Sequence, residues 1–327
     1  ILAQGEIIST NMVTNYLCEQ GVNAVLLPAL EYMRTDKNSE PDTMYIREKL
    51  RVQLANNPGA DIYITQGYIC RNAYGEIDNL QRGGSDYTAS LVGAAVDASE
   101  IQIWTDIDGM HDNDPRFVDN TSPVRHLQFE EAAELAYFGA KILHPTCVQP
   151  AKYANIPVRL LNTMEPSAPG TLISNESEKG KIKAVAAKDN ITAIKIKSSR
   201  MLLAHGFLRK VFEIFESYQT SIDMICTSEV GVSMSIDNTK HLNEILDDLK
   251  KYGTVTVDHD MCIVCVVGDL DWENVGFEAK ALDAMREIPV RMISFGGSNY
   301  NISFLIRESD KKRALQALSN ALFNNKD

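Results

Sequence analysis

No apolar run approaches the roughly 18 to 20 residues of a membrane span. No basic, apolar and small-residue pattern of a secretory leader opens the chain, so the expected location is cytoplasmic. Positive charge is scarce: 32 Lys and Arg stand against 44 Asp and Glu, a formal charge of -12, with no long basic run. Nucleic acid is therefore not an expected partner. Nucleotides stay open, because a few placed cations and backbone amides hold a phosphate. Only six cysteines occur, and of these only Cys262 and Cys265 form a C-x-x-C. They sit in an apolar run, Met261 to Val267, that reads as a strand. Positions three apart on a strand face opposite ways, so these are expected to be buried, reduced thiols. No metal-ligand spacing appears, and no protein-held metal is expected. G-x-x-x-x-G-K-[ST], H-R-D and D-F-G are all missing, which excludes the P-loop and protein-kinase architectures.

What is present fills two or three domains, since 327 residues exceed one ordinary core. Ile1 opens almost directly into a helical pattern and reads as a cut end. Residues 1 to about 175 alternate strands with helices. Strands are predicted at Val22 to Leu27, Asp61 to Thr65, Ile101 to Thr105 and Ile156 to Leu161. Helices are predicted over 5–20, 43–55, 85–97 and 129–140. This alternation predicts an α/β three-layer sandwich around a mostly parallel sheet, with ligands at the carboxyl ends of its strands. The polar stretch Ser174 to Lys181 reads as a linker.

The second half repeats itself. Phe207, Val211, Ile214 and Phe215 make one helical face, and Phe277, Ala281, Ala284 and Met285 make it again seventy positions later. Gly206 and Gly276 open these helices, and period-two strands follow at Val232, Met234, Ile236 and at Ile302, Phe304, Ile306. Two copies of a strand-helix-strand-strand-helix module predict two ferredoxin-like α+β units. Such units often pair through their outer strands.

Three segments of the first half carry candidate chemistry. Arg82-Gly83-Gly84-Ser85-Asp86 precedes a helix. It reads either as a capped helix start or as a ligand loop, with a forked cation and free amides for a carboxylate or phosphate. Trp104-Thr105-Asp106-Ile107-Asp108-Gly109, leading to Asp114-Pro115-Arg116, is either an acidic surface loop or a nucleotide rim. Phe138 to Pro145 ends a helix with Lys141 in its last turn, where a cation complements the dipole whether or not it has another role. His144 there is a structural residue or a general base.

Taken in order, Gly5-Glu6, Gln66-Gly67-Tyr68, Arg82 to Asp86, Trp104-Thr105-Asp106, Asp114-Pro115-Arg116, Phe138-Gly139-Ala140-Lys141 and Ala168-Pro169-Gly170-Thr171 resemble the aspartate kinase branch of the amino-acid kinase family. The resemblance covers essentially the whole chain. It implies transfer of the ATP γ-phosphoryl group, with Mg2+ carried by ATP, to the β-carboxylate of L-aspartate. It implies that Glu6, Arg82, Gly83, Gly84 and Ser85 hold aspartate, with Arg82 and Asp86 catalytic. It also implies that Thr105, Asp106, His111, Arg116 and Lys141 lie at the nucleotide. Phosphoryl transfer of this kind needs positioning and charge neutralisation more than covalent help.

The two modules resemble ACT domains. Met201, Gly206, Phe207, Leu208, Ser221, Ile222, Asp223, Thr227, Ser228 and Glu229 are similar to the lysine-sensing set of single-function aspartate kinases. The implied effector is L-lysine, with Asp223 on an ammonium, and the implied assembly is a homodimer through the ACT domains. The implied domains are 1–178 for the kinase portion, 189–254 for the first ACT domain, and 182–188 with 255–327 for the second. No dehydrogenase domain is expected. The family's opening strand with Lys-Phe-Gly-Gly does not occur in these residues, so the chain as given is expected to catalyse little. His111 stands where a tyrosine is usual, Asp78-Asn79 replaces a threonine-rich stretch, and Ala204 replaces a polar residue. The alternatives are a non-catalytic amino-acid-binding regulator and a kinase of glutamate or N-acetylglutamate.

Overall fold

The computed structural model describes residues 2–139, 145–201 and 205–323. Two compact units emerge. The first comprises Ile1–Met110, Pro123–Tyr137 and Lys141–Ser177; the second comprises His111–Ser122, Phe138–Ala140 and Glu178–Asp327. Two short segments of the expected kinase portion, 111–122 and 138–139, thus belong to the second unit.

In the first unit the elements run α1 (Leu2–Glu19), β1 (Ala24–Leu27), α2 (Thr43–Asn56), β2 (Ile62–Thr65), β3 (Ile69–Arg71), β4 (Ile77–Asn79), α3 (Gly84–Ala95), β5 (Ile101–Thr105), β6 (His126–Gln128), α4 (Phe129–Tyr137), α5 (Gln149–Tyr153), β7 (Val158–Asn162) and β8 (Thr171–Ser174). β1 and β2 pair in parallel, β3 and β4 form a hairpin, and β5-β7-β8-β6 form a four-stranded sheet. In that sheet β5 and β7 are parallel, as are β6 and β8, but β7 and β8 are antiparallel. The connection between β7 and β8 is too short for a parallel crossover, which takes about a dozen residues. Asp42 caps α2, its carboxylate accepting the Tyr45 amide at 3.1 Å. Leu27, Tyr32, Met33 and Ile69 pack in one buried cluster with Ile46 and Leu50 of α2 and Leu91 of α3. The helix predicted to reach residue 140 stops at Tyr137. Gly139 has φ 120, and a Cβ there would lie 2.3 Å from the Ala187 carbonyl oxygen, so the chain must leave the helix.

The second unit contains β9 (Ile182–Lys197), α6 (Phe207–Ser217), β10 (Met224–Ser228), β11 (Gly231–Ile236), α7 (Leu242–Lys250), β12 (Thr254–Gly268), α8 (Phe277–Ala284), β13 (Val290–Ser294), β14 (Asn301–Arg307) and α9 (Lys311–Leu322). All six strands form one antiparallel sheet, β10-β11-β9-β12-β14-β13. It curls until its two edges meet, where the Cys226 thiol donates to the Ile293 carbonyl at 3.0 Å. The long strands β9 and β12 serve both repeats. Their inner turns slip register around Asn190 and Asp260, two residues with positive φ. Ile194, Ile196, Val211, Phe215, Val232 and Met234 fill one core, while Val185, Val264, Phe277, Ala281, Phe304 and Leu315 fill the other. The predicted seventy-residue faces are the buried ones in both copies. Gly206 and Gly276 cap α6 and α8 at φ 82 and 92, a left-handed backbone that glycine adopts without penalty. Cys262 faces the second core, and both it and Cys265 are fully buried. Among the described residues no helix is long and apolar enough to cross a membrane.

Candidate active site

The β3–β4 hairpin delivers the chain to the glycine loop. The Asn79 side chain accepts the Gln81 amide at 2.9 Å, turning the backbone into positive φ at Gln81 (63) and Gly83 (70). Gly83 then caps α3. Asn79, which departs from the family's threonine-rich pattern, is thus the residue that shapes the turn.

Two glycines let this loop interlock with Gln66-Gly67-Tyr68. A Cβ on Gly84 would meet Tyr68 Cδ2 at 2.8 Å, and one on Gly67 would meet Ser85 Oγ at 3.0 Å and Ser85 Cα at 3.2 Å. Thr88 bolts the two together: its buried hydroxyl donates to the Gly84 carbonyl at 2.8 Å and accepts the Tyr68 amide at 3.1 Å. From below, the Cys147 thiol donates to the Gly83 carbonyl at 3.2 Å.

On this clamped turn the amides of Ser85 and Asp86 donate to no backbone carbonyl among the described residues, as expected at a helix start. Arg82 and Ser85 are exposed, and Arg82 has no ion-pair partner among the described residues. Asp86 is half-buried, and burial raises its carboxyl above the ordinary range. A forked cation, a hydroxyl and two amides around one helix N-terminus suit an anion such as a carboxylate.

Glu6 is tied to the same loop through a polar relay. The Glu6 carbonyl accepts from Thr10 Oγ1 at 2.7 Å, and Thr10 Oγ1 accepts from Gln66 Nε2 at 2.7 Å. Gln66, 2 % exposed, also accepts the Ala29 amide at 2.8 Å through Oε1. Five of the sequence-predicted residues, Glu6, Arg82, Gly84, Ser85 and Asp86, are therefore joined by Gln66, Gly67 and Thr88. Thr10 and Thr88 were missed, because an i to i+56 hydrogen bond leaves no mark in local pattern.

Thr105 and Asp106 stand at the carboxyl end of β5, beside the carboxyl end of its parallel partner β7. This is the end where ligands of α/β sheets bind. The Thr105 hydroxyl donates to Asp106 Oδ1 at 3.1 Å. Asp108 holds the loop that follows, accepting the Gly170 amide at 3.0 Å and pairing with Arg125 at 3.0 Å. Ala168 to Thr171 has a structural task here. A Cβ on Gly170 would lie 1.9 Å from the Leu160 carbonyl oxygen, and Thr171 Oγ1 bridges the Met110 amide (2.9 Å) and the Val124 carbonyl (2.6 Å). A cleft of about 460 Å³ between α2, α3 and α5, lined by Met44, Arg47, Tyr87, Leu91, Pro150 and Tyr153, contains none of the predicted site residues.

His111 and Arg116 belong to the second unit. His111 Nδ1 bonds Thr121 Oγ1 at 2.9 Å. Arg116 folds back onto Asp114, with Nε and Nη2 on the two carboxylate oxygens at 2.9 and 2.6 Å. Burial works to raise the Asp114 carboxyl, but the Arg116 hydrogen bonds outweigh it and hold it below the ordinary range. Lys141 and His144 lie outside the described residues.

Of the predicted effector residues, Met201, Phe207 and Ile222 meet in the first module's core beside the α6 N-terminus, with Leu208 partly exposed at its rim. Asp223 is not solvent-facing. Its side chain is 1 % exposed and pairs with Lys188 Nζ at 2.7 Å, and Lys188 also reaches Asp237 at 2.9 Å. Ser221 is exposed just before β10. Thr227, Ser228 and Glu229 are exposed at the opposite end of β10, about 13 Å or more along the strand from Asp223. Within one chain they do not join it. Ala204 lies outside the described residues.

The amino acid kinase family model matches residues 1–162, and an ACT domain model matches 264–322. Lysine-sensitive aspartokinase 3 of Escherichia coli is 34 % identical, covering 99 % of this chain and 75 % of that protein. Chloroplastic aspartokinase 1 of Arabidopsis thaliana is 34 % identical over 100 % of this chain and 61 % of its own length, so the chain spans less than two thirds of that relative. In structure, E. coli aspartokinase III in complex with aspartate and ADP is similar with a TM-score of 0.86 at 34 % identity, over 98 % of this chain and 74 % of that one. The aspartate kinase of Clostridium acetobutylicum gives 0.88 at 29 % over the same shares. With the interlocked glycine loop, the ligand end of β5 and the doubled ACT architecture all in place, the chain belongs to the aspartokinases, within the amino acid kinase family.

Proposed function

We propose that the protein transfers the γ-phosphoryl group of ATP to the β-carboxylate of L-aspartate, as an amino-acid-regulated enzyme of lysine, threonine and methionine synthesis. The observation that carries this reading is the α3 N-terminus, where an Arg82 with no ion-pair partner among the described residues, an exposed Ser85 and the first amides of the helix surround a half-buried Asp86. Arg82 holds a substrate carboxylate in a bidentate grip, and Ser85 and Glu6 complete the amino-acid site. Rigid interlocking of Gly67 and Gly84 keeps the acceptor oxygen in place, which is most of what phosphoryl transfer asks of a protein.

On the nucleotide side, Thr105 and Asp106 supply a hydroxyl and the carboxylate it donates to at the ligand end of β5, and Arg116 supplies a cation. His111 and Lys141 complete the set implied by the family. Asp106 would hold a phosphate-borne Mg2+, which takes one or two protein carboxylate oxygens plus water, and which would supply charge neutralisation to the transferring group.

The α6 N-terminus, with Gly206 to Leu208, takes the effector's carboxylate, and Asp223 its ammonium. E. coli aspartokinase III, a relative at 35 % identity, has been crystallised with lysine and aspartate, which supports L-lysine as the effector. Because Thr227 to Glu229 lie at the other end of β10, a site using both ends draws on two copies, in keeping with a homodimer through the ACT domains. Effector binding then favours one dimer arrangement over another.

The test is a substrate panel on the intact protein. Acyl phosphate formed from ATP should be trapped with hydroxylamine for L-aspartate, and not for L-glutamate or N-acetylglutamate. Turnover of glutamate instead would move the protein to another branch. No turnover at all with saturable lysine binding would make it a regulator.

A further inference from the structure

The segment 111–122, which carries His111 and Arg116, packs with the second module rather than with the sheet that precedes it. Its contacts with α9 are specific. Asn113, 3 % exposed, donates through Nδ2 to the Leu315 carbonyl at 3.0 Å, while its Oδ1 accepts the Asp114 amide at 2.8 Å. Gln316 Nε2 donates to the Phe117 carbonyl at 3.2 Å. Val118 is buried in the core that contains Leu315 and Leu318. On the other side, the Val185 amide of β9 donates to the Asp112 carbonyl at 2.8 Å.

Lys311 is the telling residue. It is the first residue of α9, where a cation opposes the helix dipole, and it is 7 % exposed. Local chemistry disfavours it twice over. Its partners explain why it is there: Nζ bonds Asp189 Oδ2 at 2.6 Å and lies 4.3 Å from the centre of the Phe117 ring. Phe117 is next to Arg116, whose guanidinium carbon lies 5.8 Å from the centre of that ring. Asp114, whose carboxylate grips Arg116, is tied to α9 through Asn113: its amide donates to Asn113 Oδ1, and Asn113 Nδ2 donates to the Leu315 carbonyl.

We propose that α9 of the second ACT module is the platform for the nucleotide-side loop, with Lys311 and Gln316 as positioning residues that fix Phe117 and, through it and Asp114, the Arg116 guanidinium. The proposal rests on Arg116 being a nucleotide contact. It gives the second module a task in substrate binding that is separate from effector sensing in the first. Loosening α9 from the loop weakens nucleotide binding and leaves aspartate binding alone, because the Arg82 to Asp86 loop is braced by α1, the Gln66 turn and Thr88.

The experiment measures Mg·ADP affinity by calorimetry, and KM for ATP and for aspartate, on the intact protein and on Gln316→Ala, Lys311→Met and Lys311→Arg. Each of the first two should weaken ADP and raise KM for ATP about fivefold, the effect of one lost hydrogen bond, with KM for aspartate within about twofold. Lys311→Arg, which keeps the cation on Asp189 and Phe117, should stay near the parent. Should Lys311→Met unfold, Gln316→Ala carries the test alone. Unchanged ADP affinity in folded variants overturns the proposal, as does a parallel rise in both KM values. Failure of the functional reading looks different: the parent binds ADP but phosphorylates no aspartate, and ADP affinity still decides the positioning role. A parent that binds no ADP overturns both.

Discussion

Replacing Gly84 by alanine adds one methyl where two loops already touch. Gly84 has no positive φ, so the backbone itself tolerates the change. The new Cβ would lie 2.8 Å from Tyr68 Cδ2, 3.2 Å from Tyr68 Cα and 3.3 Å from Leu80 Cβ. The ring could rotate by itself, but Tyr68 Cα is backbone, held at φ 70 between the Leu80 amide and Thr88. Overpacking of this kind costs about 1 to 3 kcal/mol. For a unit of this size that lowers Tm by roughly 2 to 4 °C per kcal/mol. The displaced atoms carry Ser85 and the α3 N-terminus, so KM for aspartate should rise about tenfold, the kinetic equivalent of about 1.4 kcal/mol. KM for ATP should stay within about twofold. Gly75→Ala is the control: its φ is 82, but nothing lies within 4 Å of the added Cβ. It should cost about 1 kcal/mol of stability and leave both KM values alone. A Gly84→Ala protein with parental Tm and parental KM for aspartate would refute the claim that the two loops interlock without slack.

Asp86→Asn separates stability from function. Burial raises the Asp86 carboxyl in the folded state, so its contribution is fully present below the unfolded pKa and is lost as pH rises through the folded value. Near neutral pH the asparagine variant should therefore melt higher than the parent, with the gap closing in acid, while turnover falls at least about a hundredfold; thermal melts against pH check this. Gly170→Ala combines φ 65 with a Cβ 1.9 Å from a carbonyl oxygen, and should destabilise the first unit by about 3 kcal/mol or more in denaturant titration. Asp223→Asn keeps the shape but removes the charge shared with Lys188, so lysine inhibition should weaken about tenfold while the uninhibited rate holds. Equal loss of both would place Asp223 in the fold rather than in the effector site.

Periodic features were legible in the sequence. The seventy-residue repeat announced both modules because Phe207 and Phe277, each behind a left-handed glycine, begin the same buried helical face. The glycine loop was legible as a helix start, and its glycines have a physical reason in the contacts with Tyr68 and Ser85. What stayed hidden was contact at long sequence separation. Gln66 to Thr10, Asp108 to Gly170 and Asn113 to Leu315 pair polar groups that no window of pattern analysis sees together. The pairing of Asp223 with Lys188 is another such contact: Asp223 lies just before β10 with its side chain buried, and Lys188 of β9 pairs with it where burial would otherwise be costly. The end of α4 was misplaced because the phenylalanine-glycine-alanine run continues a helical pattern, whereas Gly139 must approach the Ala187 carbonyl.

The most direct measurement of the central claim is ADP release by the intact protein and by Arg82→Ala, with L-aspartate varied at saturating ATP. The account predicts aspartate-dependent turnover in the parent. In the variant it predicts a rise in KM for aspartate of about ten- to a hundredfold, the loss of one charge-assisted bidentate contact. Turnover that ignores aspartate, or an Arg82→Ala enzyme with parental KM for aspartate, would contradict it.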